Sequence, residues 1–463
     1  MSNSELPVRF FRINNAFEVT CIIWYAAPFS SSEKITLPEN MFLRVYERQS
    51  SAGDIIYETI PVDSYEWAPF LLSAETRLHP KFRGSYNFFL EPAQLEENCT
   101  ELDSLPVSPP VPVRKYRALR GCLFGTAVAD AIGLPYEGLS SKRISRMKAL
   151  PLRHRFIFGN GMISDDTEHT CLVAQALINS HGEPGRFARS LAWKLRWWVI
   201  GLPAGIGLAT LRACIKLCLG FSANSSGVFS AGNGPAMRSA ILGVFAGEDS
   251  QRLTQLVTIN TRITHSDPKA VKGALIVAEL AARNAQGQPL TSSNCLESLA
   301  PIIADDDELK NAVTAAINSA SQNQPALQFC HHMGWIKGVS GYMYHTLPVV
   351  IQVVLRHADN FQAAVTEAVS CGGDTDTVAA IVGGIVGAGT GEAGIPEPWL
   401  ADLSDWPRDK RFIGQLAAEL AVMQVLGKPG NVLYIDLIRA WMRNLFFLIW
   451  VLGHGLRRIF PPY

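Results

Sequence analysis

The sequence predicts a mainly α protein: a large all-α domain preceded by a small β-rich domain. Three observations carry that expectation. Short strand-like runs, FEVTCIIWY, FLRVYE, DIIYETI and SYNFFLE, crowd the first hundred residues and alternate with the turn formers SSSEK, SSAGD and PKFRG. Four prolines then fall within SLPVSPPVPV, 104–113, which suits an extended linker because proline lacks a backbone donor and clashes inside a helix. Beyond it, Ala/Gly/Leu-rich segments such as LVTINTRITHSDPKAVKGALIVAELAARN carry apolar residues at helical spacing as far as about Leu426. The expected boundaries are 1–103, 104–113, 114–426 and a C-terminal tail, 427–463.

Composition narrows the function classes. With 463 residues, 48% hydrophobic and 18% charged, the chain buries a large core and is too long for one small domain. Its 41 Lys and Arg balance 41 Asp and Glu, so no global charge favours nucleic acid or an anionic surface. Nine cysteines show no CxxC pairing, and MSNSELPVRFF lacks the features of a secretory signal. The expectation is a reducing, cytoplasmic setting with buried free thiols. In the tail, NVLYIDLIRAWMRNLFFLIWVLGHGLRRIFPPY, the longest apolar run is Leu445 to Leu452, well short of the ~18 residues of a spanning helix. The tail therefore reads as a helix packed on the protein or on a second copy, with peripheral membrane contact as the alternative.

Two acidic segments carry the chemistry. In GNGMISDDTEHTCLVAQALI, 159–178, Ser164 is placed as an N-cap, and Asp165, Asp166 and Glu168 fall in the first helical turn. In GGDTDT, 372–377, Asp374 and Asp376 stand just before an apolar run read as a buried helix from Val378. Each segment alone is accounted for by helix capping. Together they place four carboxylates at the mouths of two helices too apolar for a surface. At about 5 Å and an effective dielectric near 20, each like-charged pair costs on the order of 3 kcal/mol. A divalent cation reverses that sign, and Asp carboxylates with Ser/Thr hydroxyls, without His or Cys, suit Mg2+ rather than structural zinc.

The ordered set GCLFGTAVADAIGLPYEG (121–138), ISDDTEHT (163–170), SAGNGPAMRSAILG (230–243), THSDP (264–268) and GGDTDT (372–377) resembles the ADP-ribosylglycohydrolase family from about Lys115 to Gly391. The resemblance implies an all-α, orthogonally packed helical domain with a two-metal Mg2+ site, Mn2+ being the alternative ion. It assigns the metal ligands to Ser164, Asp165, Asp166, Asp374, Asp376 and Thr377. The family usually has Thr where Ser164 stands, and Gly-Asp-Ala where this chain has Ala129-Asp130-Ala131. The family's acidic residue after the first helix corresponds to Glu137, whose role stays open between proton acceptor and ribose positioner.

Other residues gain a reading from the same resemblance. Gly232, Asn233 and Gly234 form a turn before Pro235 whose backbone N–H groups suit a diphosphate. His265, just outside a helix capped by Asp267, takes a position that approaches ADP-ribose in the family. Gly338 to Tyr342 is a further candidate lining. The implied reaction is hydrolysis of the bond between ADP-ribose and a modified acceptor, either a protein side chain such as arginine or serine or a small conjugate. Asp165, Asp166 and Glu137 carry the catalysis, and no nucleic-acid partner is expected. A non-catalytic ADP-ribose binder, using the N-terminal domain to recognise a partner, is the competing expectation.

Overall fold

The computed structural model describes residues 8–25, 30–39, 41–49, 55–72, 82–102, 111–147, 150–427 and 430–457. The chain divides into two compact units, Met1–Tyr116 with Val425–Gly427, and Arg117–Gln424 with Lys428–Tyr463.

The first unit is a seven-stranded sheet of β1 (Val8–Ile13), β2 (Phe17–Tyr25), β3 (Ser30–Leu37), β4 (Phe42–Gln49), β5 (Ile55–Pro61), β6 (Phe82–Leu90) and β7 (Cys99–Leu102). The order is β3-β2-β6-β5-β4-β1-β7 and every pair is antiparallel. Alternate residues, including Val19, Cys21 and Ile23 on β2 and Leu43 and Val45 on β4, are buried in one core, as the two-residue period of a half-buried strand requires. Helix α1 (Ser64–Leu71) contributes Trp67 to that core, and α2 (Pro92–Asn98) contributes Leu95.

Helix α3 (Val111–Gly133) begins inside the proline-rich stretch. Val111 to Val113 are helical, with Pro112 in the first turn, where a missing N–H breaks no helical bond. The linker is therefore shorter than the composition suggests, and residues 104–110 lie outside the described residues.

The second unit is helical. The helices that bear on the site are α3, α4 (Asp165–Ser180), α5 (Pro184–Ile200), α6 (Pro268–Ala285), α7 (Met343–Arg356), α8 (Thr375–Thr390), α9 (Lys410–Leu426) and α10 (Leu437–Arg457). A two-stranded antiparallel pair, β8 (Leu139–Ser140) with β9 (Gly372–Gly373), interrupts the all-α expectation. Two-residue strands built on glycine leave no periodicity to read in the sequence.

Helices α3 and α8 pack through small residues. A Cβ on Gly125 would stand 2.2 Å from Gly383 O, and one on Gly387 would stand 2.2 Å from Gly121 O. Backbone thus meets backbone, which only glycine permits, and this contact brings the end of α3 to the start of α8. Gly387→Val is expected to lower stability by about 2 kcal/mol or more, read as a fall in the denaturation midpoint, because backbone cannot yield as a flexible side chain can. An unchanged midpoint would refute the tight contact.

All nine cysteines are free, and only Cys218 is exposed. Among the described residues, no helix is long and apolar enough to cross a membrane. One face of α10 packs inward, with Phe447 joining Leu134, Phe156 and Met162, while Asn444 Nδ2 donates to Gly201 O at 2.7 Å.

Candidate active site

The site is built from the starts of two buried helices and the end of a third. At α4, Ser164 is the N-cap. Its Oγ accepts from Asp166 N at 3.2 Å and donates to Asp166 Oδ2 at 2.9 Å. Asp130, fully buried on α3, fixes this turn from below. Its Oδ2 accepts from Ser164 N at 2.9 Å, Thr167 N at 3.2 Å and Thr167 Oγ1 at 2.5 Å. Burial pushes the Asp130 carboxyl up to about 6 against the pull of those donors.

The second acidic segment enters through β9. Gly372 and Gly373 adopt φ of 72° and 86°, and a Cβ on Gly373 would stand 2.0 Å from Val339 O, so glycine is required there on both counts. Val339 O accepts from Asp374 N at 2.8 Å. Helix α8 starts at Thr375 rather than Val378, with Asp374 as its cap and Asp376 in its first turn. Thr375 Oγ1 donates to Gly133 O at 3.0 Å, which extends the helix back to the end of α3. Two residues on, Thr377 Oγ1 donates to Asp166 Oδ2 at 3.3 Å, joining segments 211 residues apart.

The electrostatics of this meeting are unfavourable for the chain by itself. Burial, then the charges of neighbouring carboxylates, raise Asp165, Asp166 and Asp376 well above the usual carboxylate range, and burial raises Asp374. Asp166 Oδ1 and Asp376 Oδ1 are buried with no hydrogen-bond partner. Among the described residues, no three His, Cys, Asp or Glu side chains already stand in ligating geometry. Asp166 Oδ2 is occupied by Ser164 and Thr377, Asp374 Oδ2 accepts from Asn233 Nδ2 at 2.7 Å, and like charges repel. The donor set still fits a hard cation: oxygen ligands only, two buried carboxylate oxygens, Asp166 Oδ1 and Asp376 Oδ1, unpartnered, and an excess of negative charge.

Glu137 follows a short 3-10 turn, Leu134–Tyr136, and is exposed. Its charge is among those that raise both Asp165 and Asp376. In the Gly-rich turn, the Gly232 N–H donates to Ser230 Oγ at 3.3 Å and the Asn233 N–H to Gly341 O at 2.9 Å. Two of the three N–H groups read as phosphate contacts therefore have internal acceptors. Pro235 leads into a 3-10 turn, Ala236–Arg238, and an α-helix follows only from Ala240. His265 is buried beneath this turn, where a Cβ on Gly232 would stand 3.1 Å from its Nε2. Burial, with the Arg238 charge adding to it, pushes the imidazole down to about 3, so it is neutral at physiological pH. The Gly338–Tyr342 stretch bonds both to Asn233 and, through Val339, to Asp374, so it straps the Gly-rich turn to α8.

Three features escape sequence reasoning. Asp130 carried a signal, the single charge in the apolar half of α3 that follows Arg120. The Asn233 side chain, which spans Thr346 Oγ1 at 3.0 Å and Asp374, carried none. The third is a buried charge network behind α4. Glu168 accepts from Arg408 Nη1 at 2.6 Å and Trp198 Nε1 at 2.7 Å, and lies 3.6 Å from Arg443 Nη1. Arg443, on α10, also donates to Asp405 Oδ2 at 2.7 Å and Ile163 O at 2.5 Å. Burial pushes Glu168 up, but Arg408, Arg443 and Trp198 outweigh it and hold the carboxyl below its usual range.

Comparison with known proteins gives the family. Residues 112–429 match the family model described as ADP-ribosylglycohydrolase. An uncharacterised protein of Archaeoglobus fulgidus is 29% identical over 309 residues, covering 65% of this chain and 95% of its own length. The ADP-ribosyl-[dinitrogen reductase] glycohydrolase of Rhodospirillum rubrum is 25% identical over 317 residues, covering 66% of this chain and 96% of itself. A solved structure titled ADP-ribosylglycohydrolase-related protein complex superposes with a TM-score of 0.50 at 27% identity, over 67% of this chain and 99% of its own. With the family pattern spanning most of the sequence, from α3 to the end of α9, the chain belongs to the ADP-ribosylglycohydrolase family.

Proposed function

We propose that the protein is a Mg2+-dependent hydrolase that releases ADP-ribose from a modified protein side chain or a small ADP-ribose conjugate. The observation that carries this reading is the contact between Thr377 and Asp166, which gathers both acidic segments around buried, unpartnered carboxylate oxygens. Family membership and the activity for which the Rhodospirillum rubrum relative is named support the reaction class.

Ser164, Asp165, Asp166, Asp374, Asp376 and Thr377 would hold two Mg2+ ions, with Mn2+ as the alternative. Bound ions would supply positive charge for the distal-ribose hydroxyls and an acidified water. The chain's own residues do the rest. Asp130 and Ser164 hold Asp166 in one orientation, and Asn233 does the same for Asp374. Glu137, exposed at the mouth, accepts a proton from the water that attacks the anomeric carbon, or else orients a ribose hydroxyl. The water oxygen forms the new bond as the glycosidic C–N or C–O bond breaks, and the acceptor leaves with a proton. His265, kept neutral, offers a hydrogen bond without adding charge beside the diphosphate.

Purified protein with Mg2+ is expected to liberate ADP-ribose from at least one of arginine-linked, serine-linked and O-acetyl-ADP-ribose substrates, measured by chromatography. Binding of ADP-ribose without turnover on all three, with Mg2+ or Mn2+, would overturn this reading in favour of a non-catalytic binder.

A further inference from the structure

Helix α10 lies beyond the family match, which ends at residue 429. Its inner face is anchored by Arg443, Asn444 and Phe447, all buried. Its outer face is apolar and open. Ile438, Met442, Leu445, Ile449, Leu452 and Leu456 are between 57% and 68% exposed.

The spacing of these six residues is informative. Successive steps of 4, 3, 4, 3 and 4 residues repeat every 3.5, the period of a seam that meets another helix, and they persist over nearly three heptads. Arg439, Phe446 and Gly453 flank the seam on one side, and Trp441, Leu448 and Gly455 on the other, so Arg439 is the single charge beside the seam, and in an antiparallel pair it would face Gly455 rather than a second cation. The step pattern also reads the same in both directions. Two copies related by a two-fold axis near Leu445 and Ile449 can therefore interdigitate, as an isologous interface demands.

We propose that the outer face of α10 is a homodimer interface, occupied by α10 of a second copy of this chain. Size agrees with that occupant: the exposed apolar side chains of the face offer on the order of 1,000 Å² per chain, beyond the few hundred Å² usual for a monomer surface and close to the ~800 Å² that each partner buries in a stable complex. Charge disfavours a lipid surface. Interfacial helices present Lys and Arg along the apolar face, whereas here Arg439 pairs with Asp436 at 3.1 Å, Arg443 points inward to Asp405, and the two further arginines of the tail, Arg457 and Arg458, follow the last residue of the seam rather than lining it.

Sedimentation velocity of the full chain at about 10 μM, without detergent, tests this. The wild type is expected at twice the 50.6 kDa chain mass, and L445E/I449E at one chain mass with unchanged helicity and unchanged ADP-ribose release. Should the double variant not fold, I438E and L452E separately are expected to weaken the dimer at least tenfold. A wild type that is monomeric, or a variant that stays dimeric, overturns the proposal. A monomer that sediments with vesicles containing phosphatidylserine would assign the face to membrane instead.

Discussion

Asp376→Ala is expected to lower kcat/KM for ADP-ribose release at least a thousandfold, about 4 kcal/mol of transition-state stabilisation, while leaving the fold intact. The reason is the position of this carboxylate. It is buried in the first turn of α8, and Oδ1 has no protein partner. Burial, together with the charges of Glu137, Asp166, Asp374 and Asp130, holds its carboxyl far above the ordinary range. Removing it relieves repulsion, so the metal-free variant should unfold no more easily than metal-free wild type. A second readout separates a metal ligand from a structural residue. Mg2+ at a hundred times its Kd should stabilise the wild type by about 2.7 kcal/mol, and chelation should reverse this. D376A and D166A should lose most of that increment. A D376A protein that keeps both turnover and the full Mg2+ shift would sink the assignment.

Arg443→Met should give the largest loss of stability of any single substitution considered, about 3–5 kcal/mol, because it removes one partner from a buried ion network. Arg443, Glu168 and Asp405 are each about 2% exposed at the side chain, and Arg408 is 8% exposed. Without the Arg443 guanidinium, Asp405 keeps only the Ile163 N–H at 3.1 Å and the Trp406 N–H at 2.6 Å in a buried setting that already pushes its carboxyl up. Urea denaturation gives the cost. The double variant D405N/R443M should recover part of it, since no carboxylate is then left uncompensated there. Activity should fall as well, because Arg443 holds Ile163 O and Asp405 holds Ile163 N, and Ser164 follows immediately. R443M with wild-type stability would show that the network is not closed in solution.

The candidate site was legible in outline because its parts are local. Ser164-Asp165-Asp166 and Asp374-Thr375-Asp376-Thr377 each concentrate their oxygens within a few residues, and repulsion among four carboxylates is foreseeable from charge alone. Less legible was where α8 starts. The sequence suggests Val378, the first residue of the unbroken apolar run, but Gly372 and Gly373 turn the chain and Thr375 bonds to Gly133, so the helix includes both Asp376 and Thr377. The backbone amides of Gly232 and Asn233 were misleading in the opposite direction. A Gly/Asn turn looks like free donors until the 338–342 strap supplies an acceptor from more than a hundred residues away.

By itself, the sequence determined the division into strand-rich and helix-rich parts, the family and the side chains available for chemistry, because alternation, helical spacing and short polar motifs are written in neighbouring residues. Tertiary structure alone decided which of those groups meet. The hydroxyl of Thr377 reaches Asp166 only because glycines let α3 and α8 touch backbone to backbone. Asp130 became the anchor of α4 only once α3 lay beneath it, and Arg443 came to serve the first turn of α4 from a helix beyond the family's span. Such long-range pairings depend on packing geometry, which leaves no periodic trace in the chain.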